Sequence, residues 1–482
     1  MKRLIQFLFV IIPFVLNSAF PKIIYQGSSS FPSISIDSLM EYQPSETKTV
    51  FGFLPYWEYL AGTHKTIDYS LLTHVAVMAF EADSLGNITP PLNWPWIDVI
   101  NSSRQNKCKI ILTVANFEGT EINKLMSDTI TRENLFNNLA KYLFPYSLDG
   151  INFDFENLLD SDKGEVVINF LKLANSYFKT INPDLEISFS TPIVNDGKWD
   201  FKRMSENCDY LFAMGYDFYG SWSETTGPSA PFSGPFFSIS KAVLNDYKPV
   251  TDYNSQKLIL GVPYYGNYWK TDSDKPYASV KRFSPDSLTN NWQKIILYRD
   301  LPNYKDAEYL WDEISQTPWL RWKDSTWNQI WFEDTKSIEI KFELAVSQKL
   351  RGIGIWALGY DSGSRDFWNL IKTKFFDLTS LNNEVQPDNG FLLYQNYPNP
   401  FNPETTIRYS VPKIIEKSTS KVSLKIYDIL GNEIAILVNE EKIPGIHTVK
   451  FASYKYELAS GIYCYRLVID KLAQSRIMTF IK

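Results

Sequence analysis

The sequence is poor in the residues that build metal and redox centres. It holds three cysteines (Cys108, Cys208, Cys464) and three histidines (His64, His74, His447) in 482 residues. The cysteines are odd in number and far apart, so neither zinc-ligand spacing nor a dense disulfide framework is available. So few histidines leave no His-rich metal site. No metal and no cofactor are expected. A block of basic charge is also missing, and the net charge is −6, which argues against nucleic acid as a partner. Apolar runs long enough for a membrane span are absent. The one candidate, from Leu4 to about Leu16, follows Met-Lys-Arg and precedes Asn-Ser-Ala. It falls short of the ~20 residues a spanning helix needs. It reads instead as a secretory signal peptide over residues 1–19, with no stable membrane span elsewhere.

What is present is aromatic. Phe, Tyr and Trp make up 16% of the chain, and hydrophobic residues 44%. Aromatic clefts stack sugar rings, but large cores use the same residues, so composition leaves both readings open. The length suits one large domain and a smaller one.

Residues 20–48 are rich in Ser and Pro and show no periodicity, as a linker or extended arm would. From Thr49 strand-like runs recur at Val50–Leu54, His74–Phe80, Lys109–Val114, Gly150–Phe155, Glu186–Thr191, Tyr210–Met214, Leu258–Pro263 and Gly352–Trp356. Helical patterns such as Glu133–Phe144, Glu165–Phe178 and Ile338–Lys349 separate most of them. Eight strands alternating with helices predict an α/β fold, a (β/α)8 TIM barrel over residues 49–377. The gap between the seventh and eighth strands is too long for one crossover. Residues of about 267–335, with Trp311, Trp319, Trp322, Trp327 and Trp331, predict a small α+β insertion that forms one wall of a cleft. A polar linker at 378–390 precedes short strand-like runs and turn-rich segments. These predict a C-terminal antiparallel β-sandwich over 391–482.

The stretch Leu148–Glu156, LDGINFDFE, alternates strictly. Ile151, Phe153 and Phe155 share one face; Asn152, Asp154 and Glu156 share the other. Burying carboxylates costs so much free energy that they shift their pKa or find partners. A strand ending in an active site is where such a cost has a use. Two residues of strand span about 6.6 Å, so Asp154 and Glu156 converge. Like charges that close force one pKa upward, and a neutral Glu156 would serve as a general acid.

The pattern D-G-x-[ND]-x-D-x-E resembles the signature of glycoside hydrolase family 18, the chitinase-like enzymes. Asp149, Gly150, Asp154 and Glu156 match it; Asn152 departs from the commoner aspartate. The resemblance implies Glu156 as proton donor. It also implies a retaining mechanism in which the substrate's own 2-acetamido oxygen attacks the anomeric carbon, with Asp154 orienting that group. Phe212–Gly220, FAMGYDFYG, resembles the family's M-x-Y-D motif. By it Tyr216 donates to the acetamido oxygen, Asp217 binds sugar hydroxyls and Met214 lines the floor. Trp356, closing the eighth strand, would be the sugar platform, and Asn152 a further substrate contact. Tyr56, Phe80 and Tyr265, with Tyr264, end other strands as candidate sugar contacts.

A second resemblance lies at the C-terminus. YPNPFNP, LKIYDILGNEI, PGIHTVKF and LASGIYCYRL are similar, in that order, to the C-terminal sorting domain of the type IX secretion system. It implies the type IX secretion machinery as a partner, passage via the periplasm, and a secreted or cell-surface protein. The function expected is hydrolysis of β-1,4 bonds at N-acetylglucosamine residues of chitin, chito-oligosaccharide or peptidoglycan. The alternatives are a catalytically weak or inactive chitinase-like sugar-binding protein at the cell surface, and a surface structural protein.

Overall fold

The structure, a computed structural model, describes residues 48–281, 283, 293–376, 392–393, 396, 399, 401–412, 418–428, 431–456, 458–470, 472–480 and 482. The expected signal peptide, all but the last residue of the N-terminal arm, and the 378–390 linker lie outside them. The chain separates into two compact units, one up to Thr379 and one of Ser380–Lys482.

In the first unit eight parallel strands close into a barrel. They are β1 (Thr49–Pro55), β2 (His74–Ala82), β3 (Lys109–Asn116), β4 (Gly150–Phe155), β5 (Glu186–Pro192), β6 (Tyr210–Met214), β7 (Leu258–Pro263) and β8 (Gly352–Trp356). Each pairs with the next in the chain, and β8 returns to β1. The helix expected from Glu165 starts there, while the other two begin earlier than their apolar periodicity suggests, because caps extend them. Asp128 accepts from Thr131 N and starts Thr129–Leu143; Asp334 and Ser337 form a capping box that starts Thr335–Ser347. Among the described residues no helix is long and apolar enough to cross a membrane.

Alternation decides which side chains face which layer. Phe153 and Phe155 of β4 point outward onto Phe170 of helix Glu165–Ile181, with ring centroids 4.9 and 5.8 Å apart. Inside, Phe212 packs on Phe51 and Phe53. It fills space that only glycine leaves: a Cβ at Gly354 would sit 2.0 Å from its ring, and one at Gly261 2.6 Å. One strand breaks its alternation. Between Val77 and Phe80 the β2–β3 register shifts, three steps on β2 against two on β3. The extra residue turns every later side chain to the opposite face.

A buried ionic cluster closes the end of the barrel where the strands begin. Glu186 accepts from Lys109 at 2.6 Å, Arg351 at 3.0 Å and Tyr210 at 3.2 Å, and meets His74 Nε2 at 2.8 Å. Burial pushes Glu186 up, but the His74 hydrogen bond and the Lys109 and Arg351 charges outweigh it and hold the carboxyl far below its ordinary range. Burial drives His74 down, towards the neutral form; its Nε2–H still donates. A depressed carboxyl stabilises the fold above its unfolded pKa of ~4.3, and that stability is lost as pH falls further. Glu186→Ala is therefore expected to cost about 1–3 kcal/mol at neutral pH, since it leaves His74 and the partly exposed Arg351 and Lys109 without their acceptor. Urea unfolding of the barrel should show that loss near pH 7 and a smaller one below pH ~4. An equal loss at both would sink this account.

The insertion follows β7 directly. Its antiparallel strands are Tyr265–Thr271, Val280–Lys281, Gln293–Leu297, Glu308–Asp312, Thr317–Lys323 and Trp327–Trp331. Among the described residues its helical part is the 3₁₀ segment Tyr298–Tyr304. Trp319 and Trp331 stack at 5.3 Å and, with Trp269, form one small core. Trp322 packs with Tyr268 and Tyr304 on the other face. Trp311 and Trp327 instead lie under Lys336 and Lys323. Arg299 ties the insertion to the barrel through paired bonds to buried Glu58, at 2.6 and 2.9 Å.

The second unit holds two antiparallel sheets. One joins Leu392–Leu393, Glu404–Val411 and Gly445–Ala452; the other joins Ser420–Tyr427, Glu433–Lys442, Gly461–Ile469 and Leu472–Phe480. Inward residues of both, among them Ile407, Phe451, Leu424 and Leu467, form its core.

Candidate active site

The β4 motif divides into scaffold and chemistry. Asp149 Oδ2 accepts from Ile110 N at 2.8 Å, pinning β4 to β3. Gly150 lies where a Cβ would approach Glu186 O to 2.4 Å, so the β4–β5 contact requires glycine. At the other end of the strand Asp154 is buried and Glu156 half-buried. Glu156 N donates to Asn116 O at 3.1 Å. The chain then turns through Asn157 at φ 58°, which asparagine tolerates better than most residues. Asn157 Nδ2 donates to Phe117 O at 3.2 Å, so the ends of β3 and β4 hold the acid between them.

The β6 end supplies the facing groups. Asp217 sits at φ 60°. Its carboxylate accepts from Tyr265 Oη and from Ser229 Oγ, the latter at 3.3 Å. Tyr216 is buried, its ring 6.2 Å from that of Tyr265 and 6.5 Å from that of Trp356. Trp356 rests on Phe53 with centroids 5.5 Å apart. It and Met214 are half-buried at their strand ends.

Three carboxyls thus gather in one place, and two of them act on the third. Burial, then the negative charges of Asp154 and Asp217, push Glu156 up to about 8. Burial raises Asp154 to about 6 against the hydrogen bond from Ser190. Burial also raises Asp217, against its bonds from Tyr265 and Ser229. Tyr216 lies well above its ordinary range, through burial first and then the Asp154 charge, so it remains a hydroxyl donor. At neutral pH the site therefore offers a protonated Glu156 beside an ionised Asp154. Groups whose environments push their pKa values apart divide acid from base work.

Not every residue expected at the mouth arrives there. Phe80 is fully buried, against Trp94 at 5.0 Å and Tyr142 at 5.2 Å, and offers no face to a sugar. The β2 irregularity is the cause, since it puts Phe80 level with outward Val114. Asn152 is no substrate contact either: it is fully buried and its amide bonds Ser188 and Ser190. Tyr265 is buried and its hydroxyl holds Asp217, and Tyr264 packs on Phe367 at 4.4 Å. Tyr56 begins helix Tyr56–Ala61, partly exposed, edge-on to Trp57. Nothing in the sequence pattern marks Ser229. Ser190 does carry a signal, because Ser188 and Ser190 alternate with Ile187 and Phe189 as Asn152 and Asp154 alternate with Ile151 and Phe153.

A closed parallel barrel with paired carboxyls at the end of β4 and aromatic side chains around them carries the kind of acid pair that glycoside hydrolysis uses. The sequence profile described as Glycosyl hydrolases family 18 matches residues 49–361, and the chain belongs to that family. A second profile, Secretion system C-terminal sorting domain, matches residues 395–479. The cortical fragment-lytic enzyme of Bacillus subtilis is 26% identical over 321 residues, 63% of this chain and 68% of that protein. The di-N-acetylchitobiase of Homo sapiens is 26% identical over 265 residues, 49% of this chain and 66% of that protein. A crystal structure of a family 18 chitinase from Cycas revoluta in complex with (GlcNAc)3 superposes with a TM-score of 0.59 at 17% identity, covering 68% of this chain and 99% of that one. At that identity the likeness is one of fold.

Proposed function

We propose that the protein is a secreted glycosidase that hydrolyses β-1,4 bonds at N-acetylglucosamine residues by substrate-assisted, retaining catalysis. The observation that carries the reading is the buried Asp154–Glu156 pair, with Glu156 raised above neutrality and Asp154 below it. Glu156 protonates the glycosidic oxygen. The acetamido oxygen closes on the anomeric carbon to give a cyclic oxazolinium, and Glu156, now a base, draws a proton from the water that opens it. Asp154 orients the acetamido N–H and opposes the positive charge of the ring, while Tyr216 donates to the acetamido oxygen. Trp356 carries the sugar ring on its face; Met214 lines the floor, Asp217 takes a sugar hydroxyl and Tyr56 flanks the cleft.

Chitin, chito-oligosaccharides and peptidoglycan all present this bond. Peptidoglycan comes first because, of the two relatives matched by sequence, the cortical fragment-lytic enzyme aligns over the longer stretch, 321 residues against 265. The C-terminal unit directs the chain to the type IX secretion machinery, and the N-terminal signal peptide to the route that precedes it. The test is a panel of labelled chitin oligomers and peptidoglycan fragments, with products identified by mass spectrometry. Peptidoglycan cleavage beside N-acetylglucosamine is the expected result; binding to every glycan with cleavage of none would leave a sugar-binding protein.

The rate should be bell-shaped in pH. Activity needs Asp154 ionised and Glu156 protonated, so it should fall below about 6 and above about 8. Both limbs belong to the coupled pair rather than to one residue each. A kcat/KM profile on a fluorogenic chitobioside checks this; a flat profile through the alkaline limb would remove Glu156 as the acid.

A further inference from the structure

Asp154 has an uncharged neighbour two residues before it on the inward face of β4. Asn152 is fully buried, and both ends of its amide are engaged by β5. Ser188 Oγ donates to its Oδ1 at 2.9 Å, and its Nδ2 donates to Ser190 Oγ at 2.9 Å. Asn152 pairs with Ser188 and Phe153 with Phe189 in parallel register. One step beyond that register Ser190 comes level with Asp154 on the same inward face, and its hydroxyl draws the carboxyl's pKa down against the effect of burial.

The polarity of this row follows from the inventory of donors. An amide nitrogen only donates, so Ser190 accepts from Asn152. A serine hydroxyl has one hydrogen, and that hydrogen is left for Asp154, which only accepts when ionised. The donors then run one way: Ser188 to Asn152, Asn152 to Ser190, Ser190 to Asp154. The reverse order would turn the Ser190 hydrogen towards Asn152 and a lone pair towards a buried anion. Bonds to an ionised acceptor are the stronger ones, and neighbouring bonds polarise one another in the same sense.

We propose that Ser190, oriented by Asn152 and Ser188, is a positioning residue that pins Asp154 to β5 as an ionised acceptor. An uncharged row thereby replaces a second carboxylate beneath it. This rests on the substrate-assisted reading above, in which Asp154 must be charged and fixed while the oxazolinium forms. The other charged or titratable groups facing Asp154 are Glu156 at the end of its own strand, and Tyr216 and Asp217 from the β6 end. From β3 the residue opposite Asp154 is Ala115, and the one opposite Asn152 is Thr113; neither titrates.

The experiment uses the 482-residue protein and reads two things: the pH–rate profile on a chitobioside, and the titration of the Asp154 carboxyl carbon by NMR. Ser190→Ala removes the donor. It should lower kcat about tenfold or more and move the acid limb up by about one pH unit, with KM little changed. Ser190→Thr, which keeps the hydroxyl, should restore most of both. Ser188→Ala should act in the same direction but less. Asn152→Asp should raise the acid limb further, because an ionised Asp at 152 takes the Ser190 hydrogen and adds a charge. Thermal melting identifies variants that fold. If Ser190→Ala does not fold, Ser188→Ala and Asn152→Asp decide the matter, since both leave Ser190 in place. Folded variants whose acid limb and carboxyl titration match the parent would overturn the proposal, as would a change in KM alone. If the parent protein cleaves no N-acetylglucosamine glycoside, the functional reading fails instead, and the carboxyl titration still tests the row.

Discussion

Glu156→Gln is expected to lower turnover by about 10²–10⁴-fold, the usual contribution of a positioned general acid. The substitution keeps shape and removes only the transferable proton. Glu156 is half-buried at the strand end, and its neighbours Asp154 and Asp217 are both acidic. Exchanging a group that those charges already hold protonated for a neutral amide should leave the fold intact. Glycan affinity should survive, or rise slightly as repulsion from the two acids is removed. Steady-state kinetics on a natural glycan, with binding by calorimetry, separates these effects. A turnover near that of the parent protein would reassign the acid.

The second large effect concerns the substrate. If no enzyme carboxylate attacks the anomeric carbon, the acetamido oxygen must, and removing it should abolish the route. An intramolecular nucleophile held in place is equivalent to an effective concentration of ~10⁵–10⁸ M. Glucosides that match N-acetylglucosaminides in every other respect should therefore react slower by about 10⁵-fold or more. Cleavage of the natural substrate should proceed with retention, read by NMR of the first-formed anomer. A thiazoline mimic of the cyclic intermediate should inhibit, as analogues of high-energy states do. Tyr216→Phe should weaken that inhibition by about 0.5–1.5 kcal/mol, the worth of one neutral hydrogen bond. Efficient cleavage of plain glucosides, or a glycosyl ester trapped on Asp154, would make Asp154 the nucleophile.

Both expectations rest on Asp154 and Glu156, and both residues stand out from a nine-residue string. The reason is the period of the strand. Side chains alternate every two residues, so three polar groups at 152, 154 and 156 share a face as long as no bulge interrupts the strand. The same rule made the strands of the barrel legible, because each carries its own pattern. It failed at Phe80, where a register irregularity breaks the count between Val77 and that residue. A bulge is a property of two strands paired, and one strand read alone carries no sign of it.

The sequence by itself determined the strand–helix alternation, the place of the insertion between β7 and β8, the change of character after residue 376 and the carboxylate face of β4. Each is local, written within one element or its neighbours. Only the tertiary structure decided how those carboxyls are charged and held. The groups that raise Glu156 come from β4 and the β6 end, the hydroxyl on Asp217 comes from the start of the insertion, and the serines on Asn152 come from β5. Glu186 meets Lys109 and Arg351 across 77 and 165 residues of chain. Charge, desolvation and hydrogen bonding act through space over a few ångströms, and which residues lie that close is fixed by closing the barrel rather than by their order along the chain.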